Sequence, residues 1–414
     1  MDTLYIDERA LEHILWGAAF LGSGGGGSVE AGQFFIQRIA STGKDIPLWT
    51  LPLSDEQKQL HGCAMADIGA NSALDPKQDE ALLFAYDTLL TRVAETETIS
   101  AVFPAETGAE NMLAPFVVAA HHGLAVVDGD GAGRAIPTLP LCTFSLDQTY
   151  KDLPIAMANG EGDRLVVDSE SNATHEPLIR DLTQLKRFNN SASLAMWPDT
   201  LENLAGKCVA GAVTTAMSCG RLFDALRNED QTMLDSALPN VNTLTGYVIG
   251  KGKVESFAVN ETGGFSFARI KIRNSKSNVT YTLIAQNESL ICYADDNPNP
   301  VAYAPTSICC FGVDGFPYTN AELTKQSTLD KQLEVFLVAV SPREALRNEQ
   351  LVEGFTKIIE ELVVVSPTAR QNPELRLVVP LGDLIVNLWQ MKNSFIDYTK
   401  FLSKSSLNVQ EVTY

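Results

Sequence analysis

Three short stretches bring together residues that can move protons or hold a polar ring. The run from Pro104 to Asn111 supplies Glu106, Glu110 and Asn111, and Val127-Asp128-Gly129-Asp130 supplies two more acids, with Arg134 close behind. Paired carboxyls can divide acid and base work when their surroundings push their pKa values apart. Glu106 is expected to act as general base, with Asp128 and Asp130 completing the catalytic set by holding substrate nitrogens or a cation. Arg134 carries a forked guanidinium suited to a substrate carboxylate. The third stretch is Gly22-Ser23-Gly24-Gly25-Gly26-Gly27-Ser28, in which the N–H groups of Gly24, Gly25, Gly26 and Gly27 can meet developing negative charge. Asn71 and Asn111 are further candidate substrate contacts. Each reading has a plainer one beside it. The two aspartates can bond only their own turn, Arg134 can pair internally with one of them, Glu110 can be a first-turn acid favoured by the helix dipole, and the glycine run can be a connector.

Elements must place these residues. Ile99-Ser100-Ala101-Val102-Phe103 and Leu124 to Val127 are short apolar runs, as buried strands are, and residues 111–121 between them read as a helix capped by Asn111. Strands joined by a helix discharge polar residues at one end, and in an open α/β sheet ligands bind beyond the carboxyl ends of the strands. Gly62 to Ile68 reads as a strand and ends likewise in Asp67-Ile68-Gly69-Ala70-Asn71. Asp67, Asp128 and Asp130 are the candidate ligands should a divalent cation be held, though their spacing matches no metal signature. His121-His122 lies at a predicted helix end and is not HExxH, so capping is the better reading. Cys63 beside His61 is the one local thiol and base pair. Neither GxGxxG after a strand nor GxxxxGK[ST] occurs, so no nucleotide cofactor is expected.

The chain has 414 residues, 45% of them hydrophobic and 20% charged, with a formal net charge of −20. That length exceeds one ordinary core, and the charge argues against nucleic acid or an anionic membrane as partner. Seven cysteines without CxxC spacing make neither a disulfide framework nor a zinc ribbon. The first residues lack a basic and an apolar signal region, and no apolar run is of spanning length. A cytoplasmic protein acting on a small molecule is expected, with homo-oligomerisation left open.

Alternating helices and strands predict an α/β fold whose N-terminal domain, residues 1–165, holds a mainly parallel sheet. A helical bridging segment is expected over 166–240, including one long helix from Leu204 to Leu226. The alternation and turns from Leu244 to Ile291 predict a second, β-rich domain over 241–325. Residues 326–414 read as an α/β segment packing back on the body, with a last helix over Leu381–Leu402. Leu141 to Leu146 reads as one further strand.

The motifs LGSGGGGSVEAG, AMADIGAN, ETGAENMLAP and VDGDGAGRAIPTLPLCTF together resemble the S-methyl thiohydantoin desulfurase family over about residues 10–150, and Thr262-Gly263-Gly264-Phe265 with Gln286-Asn287-Glu288 resembles its second domain. The resemblance implies an α/β domain followed by a β-rich one. It also implies hydrolysis of an S-methylated thiohydantoin to a hydantoin and methanethiol. Two other readings stay open: a non-catalytic ligand-binding or regulatory protein on the same fold, or a structural subunit of a hydantoin-processing complex.

Overall fold

The computed structural model describes residues 3–70, 75–93, 98–146, 154–168, 172–363, 376–392 and 410–412. Its first sheet has eight strands. Ile46–Trp49, Ala125–Val127, Ile99–Pro104 and His61–Gly69 form the parallel centre in that order. Leu4–Ile6 adds antiparallel at one edge, and Ser191–Thr200, Ile155–Ala158 and Arg164–Val167 add antiparallel beyond His61–Gly69. The central strands are buried on both faces, which is why they read as unbroken apolar runs. Their side chains still alternate: Val102 enters the core under the Glu8–Leu21 and Val29–Ala40 helices, while Ala101 and Phe103 enter the core on the opposite face.

The second sheet is antiparallel, running Pro300–Tyr303, Glu288–Ala294, Thr280–Gln286, Phe265–Arg273, Thr245–Thr262, Glu334–Val340, Ser307–Gly312. The expected class, α/β with a mainly parallel first sheet and a β-rich second domain, is the one observed. The two halves are joined by a helix pair. Glu8–Leu21 lies so close to Ala212–Asn228 that a Cβ on Gly17 would stand 1.7 Å from the Ala216 carbonyl oxygen and one on Gly220 1.8 Å from that of His13. Phe20, Leu222 and Phe223 of this pair then pack on Phe311, Phe336 and Val338 of the second sheet.

Several local expectations are corrected. Ala114–His122 is the helix where 111–121 was expected, with Leu113 at its N-cap and Pro115 in its first turn. Asn111 does not cap it, because its amide is bonded to Asp67 and Glu106. In place of a strand over Leu141–Leu146 there are two 3₁₀ turns, Leu139–Leu141 and Thr143–Ser145, where Pro140 lies in the first turn and removes a ladder donor. The long helix from Leu204 breaks into Leu201–Lys207 and Ala212–Asn228 at Gly211, whose φ is +73°. Ser191–Thr200 is a strand inside a stretch expected to be mostly helical. It is buried on both faces, and periodicity alone cannot tell such a run from a buried helix. At the C-terminal end, Leu381–Gln390 is helical. The expected continuation through Phe395, Tyr398 and Phe401 lies outside the described residues. No helix among the described residues is long and apolar enough to cross a membrane.

Candidate functional site

A cavity of about 370 Å³ opens between the two halves of the molecule. Its floor is the carboxyl ends of His61–Gly69 and Ile99–Pro104, where an open α/β sheet is expected to bind ligand. The glycine loop forms one side. The second domain closes the other side with the Asn287-Glu288 turn and with Phe257, Val259 and Glu261, which alternate along one strand of a long hairpin.

Seven carboxyl groups line this cavity, and four of them, Asp67, Glu106, Glu110 and Glu288, are held above the ordinary carboxyl range. Asp67 Oδ1 accepts from Gln78 Nε2 at 2.7 Å and from the Ser193 hydroxyl at 2.5 Å, while its Oδ2 is buried without a partner. Glu106 leaves the end of its strand and is clamped twice: Asn111 Nδ2 donates to Oε1 at 2.6 Å and the Ile136 amide donates to Oε2 at 2.7 Å. Asn111 also ties Glu106 to the neighbouring strand, since its Oδ1 accepts from the Asp67 amide at 2.7 Å. Glu288 is only 2% exposed and its Oε2 has no partner.

Burial is the largest influence on all four acids and raises each. Asp67 is pushed up to about 6 and Glu106 to about 7. Glu110 is raised well above the usual range by burial and then by the Asp67 charge, and Glu288 by burial and then by the Glu106 charge. The cavity therefore holds two carboxyl pairs, Asp67 with Glu110 and Glu106 with Glu288, in which the charge of the first member adds to burial in disfavouring ionisation of the second.

Among the glycines, Gly26 and Gly27 reach the cavity wall. The loop is glycine because acids and amides press on it: a Cβ on Gly25 would stand 2.3 Å from Glu288 Oε1, and one on Gly27 2.3 Å from Glu110 Oε2. Gly24, with φ +85°, likewise backs on the Asn320 side chain. The loop thus seats the carboxyl groups, in place of the open anion cradle its composition suggests.

The second acidic turn lies behind the cavity. Asp128 accepts from the Thr214 amide at 3.0 Å and the Thr214 hydroxyl at 2.7 Å, holding the start of Ala212–Asn228. Asp130 accepts from the Thr107 hydroxyl at 2.6 Å and the Gly133 amide at 2.7 Å, fixing the loop that carries Glu106. Arg134 is 1% exposed and is not brought to the cavity. Its guanidinium donates to the Ala135, Pro305 and Thr306 carbonyls at 2.8, 2.9 and 3.0 Å, so it ties the domains together. Asn71 lies outside the described residues. Asp67 alone of the three candidate metal ligands faces the cavity. Among the described residues no group of three or more His, Cys, Asp or Glu side chains is arranged to hold a metal ion. Burial pushes the Cys63 thiol up to about 12, which leaves no thiolate for nucleophilic work.

Sequence reasoning named Glu288 only within a family-like motif and did not single out Arg180 or Trp197, and all three line the cavity. Glu288 follows Asn287, whose φ of +58° makes the tight turn between two antiparallel strands; the strand–Asn–Glu pattern was the available signal. Arg180 donates to Glu176 at 2.7 Å, to the Gly264 carbonyl at 2.8 Å and to the Pro137 carbonyl at 3.1 Å, and its Cζ sits 4.0 Å from the Phe265 ring centroid. It latches the hairpin tip over the cavity, a long-range role with no local signature.

Comparison with known proteins agrees with this architecture. The profile of the S-Me-THD-like N-terminal domain matches residues 9–169, and that of the S-Me-THD-like C-terminal domain matches residues 170–355. A crystal structure of a protein from Chromobacterium violaceum superposes with a TM-score of 0.70 at 22% identity, covering 88% of this chain and 98% of that one. That likeness is one of fold. No curated protein matches the chain.

Proposed function

Since the chain belongs to the S-Me-THD-like family, we propose that it is a small-molecule hydrolase acting on a hydantoin-like ring, with the carbon bearing an S-methyl group as its point of attack. The observation that supports this most is the Glu106 and Glu288 pair, one acid from each domain facing one cavity. In the proposed reaction the Glu288 carboxyl protonates the ring nitrogen while Glu106 takes a proton from water. Water oxygen then bonds to the ring carbon. As the adduct collapses, its hydroxyl proton returns to Glu288, the C–S bond breaks, and Glu106 delivers its proton to the departing methanethiolate. Both water protons are accounted for, one on the ring nitrogen and one on sulfur, and both acids regain their starting states. Asp128, Asp130 and Arg134 serve this reading from behind, by holding the Glu106 loop and the domain junction.

Thermal unfolding in the presence of S-methyl thiohydantoin, thiohydantoin and hydantoin tests the assignment, because a ligand of the native state raises the midpoint. The reading predicts stabilisation by at least the S-methyl ring and release of thiol from it. Stabilisation without release favours a binding protein on this fold, and no stabilisation by any ring removes the assignment.

A further inference from the structure

Three residues that line the cavity each carry a buried side-chain atom without a partner: Asp67 Oδ2, Glu288 Oε2 and Trp197 Nε1. Two belong to carboxyls. The third is an obligate donor, since an indole N–H can only donate. A buried polar atom without a partner gives up its hydrogen bonds to water for nothing in return, so it needs a reason.

The backbone around Trp197 supplies a second observation. Ser191–Thr200 pairs with His61–Gly69, and Gly62 faces Asp199 while Ala64 faces Met196. Trp197 and Pro198 therefore occupy a bulge opposite Cys63, a device that re-aims a side chain. Trp197 has φ +51°, a left-handed conformation that a bulky residue seldom adopts. Strain of this kind persists where the surroundings impose it, and it gathers at functional sites. The ring itself is fixed: it is 2% exposed and lies 5.5 Å from the Phe144 ring.

The rest of the wall makes the donor distinctive. Arg180 spends its guanidinium on Glu176 and two carbonyls, Lys325 is paired with Glu30 at 3.0 Å, and Gln78 and Asn111 donate to Asp67, Ser193 and Glu106. A ring entering here meets acids on several sides and one uncommitted buried indole.

We infer that Trp197 is a substrate-recognition residue whose Nε1–H donates to a carbonyl oxygen of the bound ring, so that the cavity selects cyclic ureides and amides presenting an acceptor on that side. This rests on the proposed ring-binding reading and adds to it the residue that orients the ring.

The test uses the wild-type protein first. Its indole ¹H–¹⁵N resonances come from Trp16, Trp49, Trp197 and Trp389, and single Trp→Phe variants at the other three positions assign Trp197 by elimination. On titration with hydantoin, and separately with S-methyl thiohydantoin, the Trp197 resonance is expected to move downfield and saturate with binding. Trp197→Phe, which keeps an aromatic ring against Phe144, is expected to weaken binding about three- to tenfold. Binding that leaves the Trp197 resonance in place overturns the inference while the ring-binding reading survives, whether or not the variant folds. Absence of binding of either ring to the wild-type protein overturns both.

Discussion

In the proposed reaction Glu106 is the residue on which turnover depends, and its environment predicts a pH profile. With its carboxyl raised to about 7 by burial and Glu288 raised well above the usual range, turnover should rise through neutrality as Glu106 ionises and fall at higher pH as Glu288 loses its proton. A rate independent of pH across that range would contradict the assigned roles. Arg134 yields a prediction of a different kind. Arg134→Met should leave the Pro305 and Thr306 carbonyls without their donor and destabilise the protein by ~3 kcal/mol, measured by denaturant unfolding. It should not change the preference among carboxylate-bearing and neutral rings; a selective loss for carboxylates would restore the clamp role. Glu106 was legible in the sequence because a strand end followed by an acid has a mechanism. Arg134 was not, because nothing local to it shows that carbonyls more than 150 residues away will take its donors.

Among elements, the crossing of Glu8–Leu21 with Ala212–Asn228 carries the domain junction. The small residues that allow it, Gly17, Ala216 and Gly220, were visible in the sequence. The break at Gly211 was not, since Val209–Ala210 leaves the helix to pair with Gly129–Asp130, a tertiary contact. Gly220→Val would place side-chain carbon against the His13 backbone, where no flexible group can give way. It should cost about 1–3 kcal/mol or more and lower the melting temperature; an unchanged melting temperature would mean that the helices are not packed this closely. The strand Ser191–Thr200 was misread for the same physical reason that makes it central: buried on both faces, it shows no alternation.

At the scale of the molecule, burying acids inside an already acidic protein makes stability depend on pH in a definite direction. Asp67 and Asp130 are raised from 3.8 to about 6 and Glu106 from 4.5 to about 7. Between the ordinary and raised values the folded state binds more protons than the unfolded state, so stability is fully present below the ordinary carboxyl range and is lost as pH rises through about 6 to 7. The net charge of −20 acts the same way through self-repulsion, but salt screens that contribution while leaving buried groups largely unaffected. Melting temperature in high salt should therefore still fall as pH is raised from about 5 to about 8, by on the order of 3 °C or more. A flat profile in high salt would mean that these carboxyls are not buried as described. The two-domain α/β architecture could be read from periodicity and motif order, whereas the meeting of Glu106 with Glu288, 182 positions apart in the chain, exists only once the domains close on each other.

The most direct measurement is methanethiol release from S-methyl thiohydantoin by the wild-type protein, Glu106→Gln and Glu288→Gln, each checked for an intact fold by circular dichroism. The proposed chemistry predicts release by the wild type and a loss of about a hundredfold or more in each variant, with ring binding retained. Release that persists in folded Glu106→Gln at the wild-type rate would contradict it.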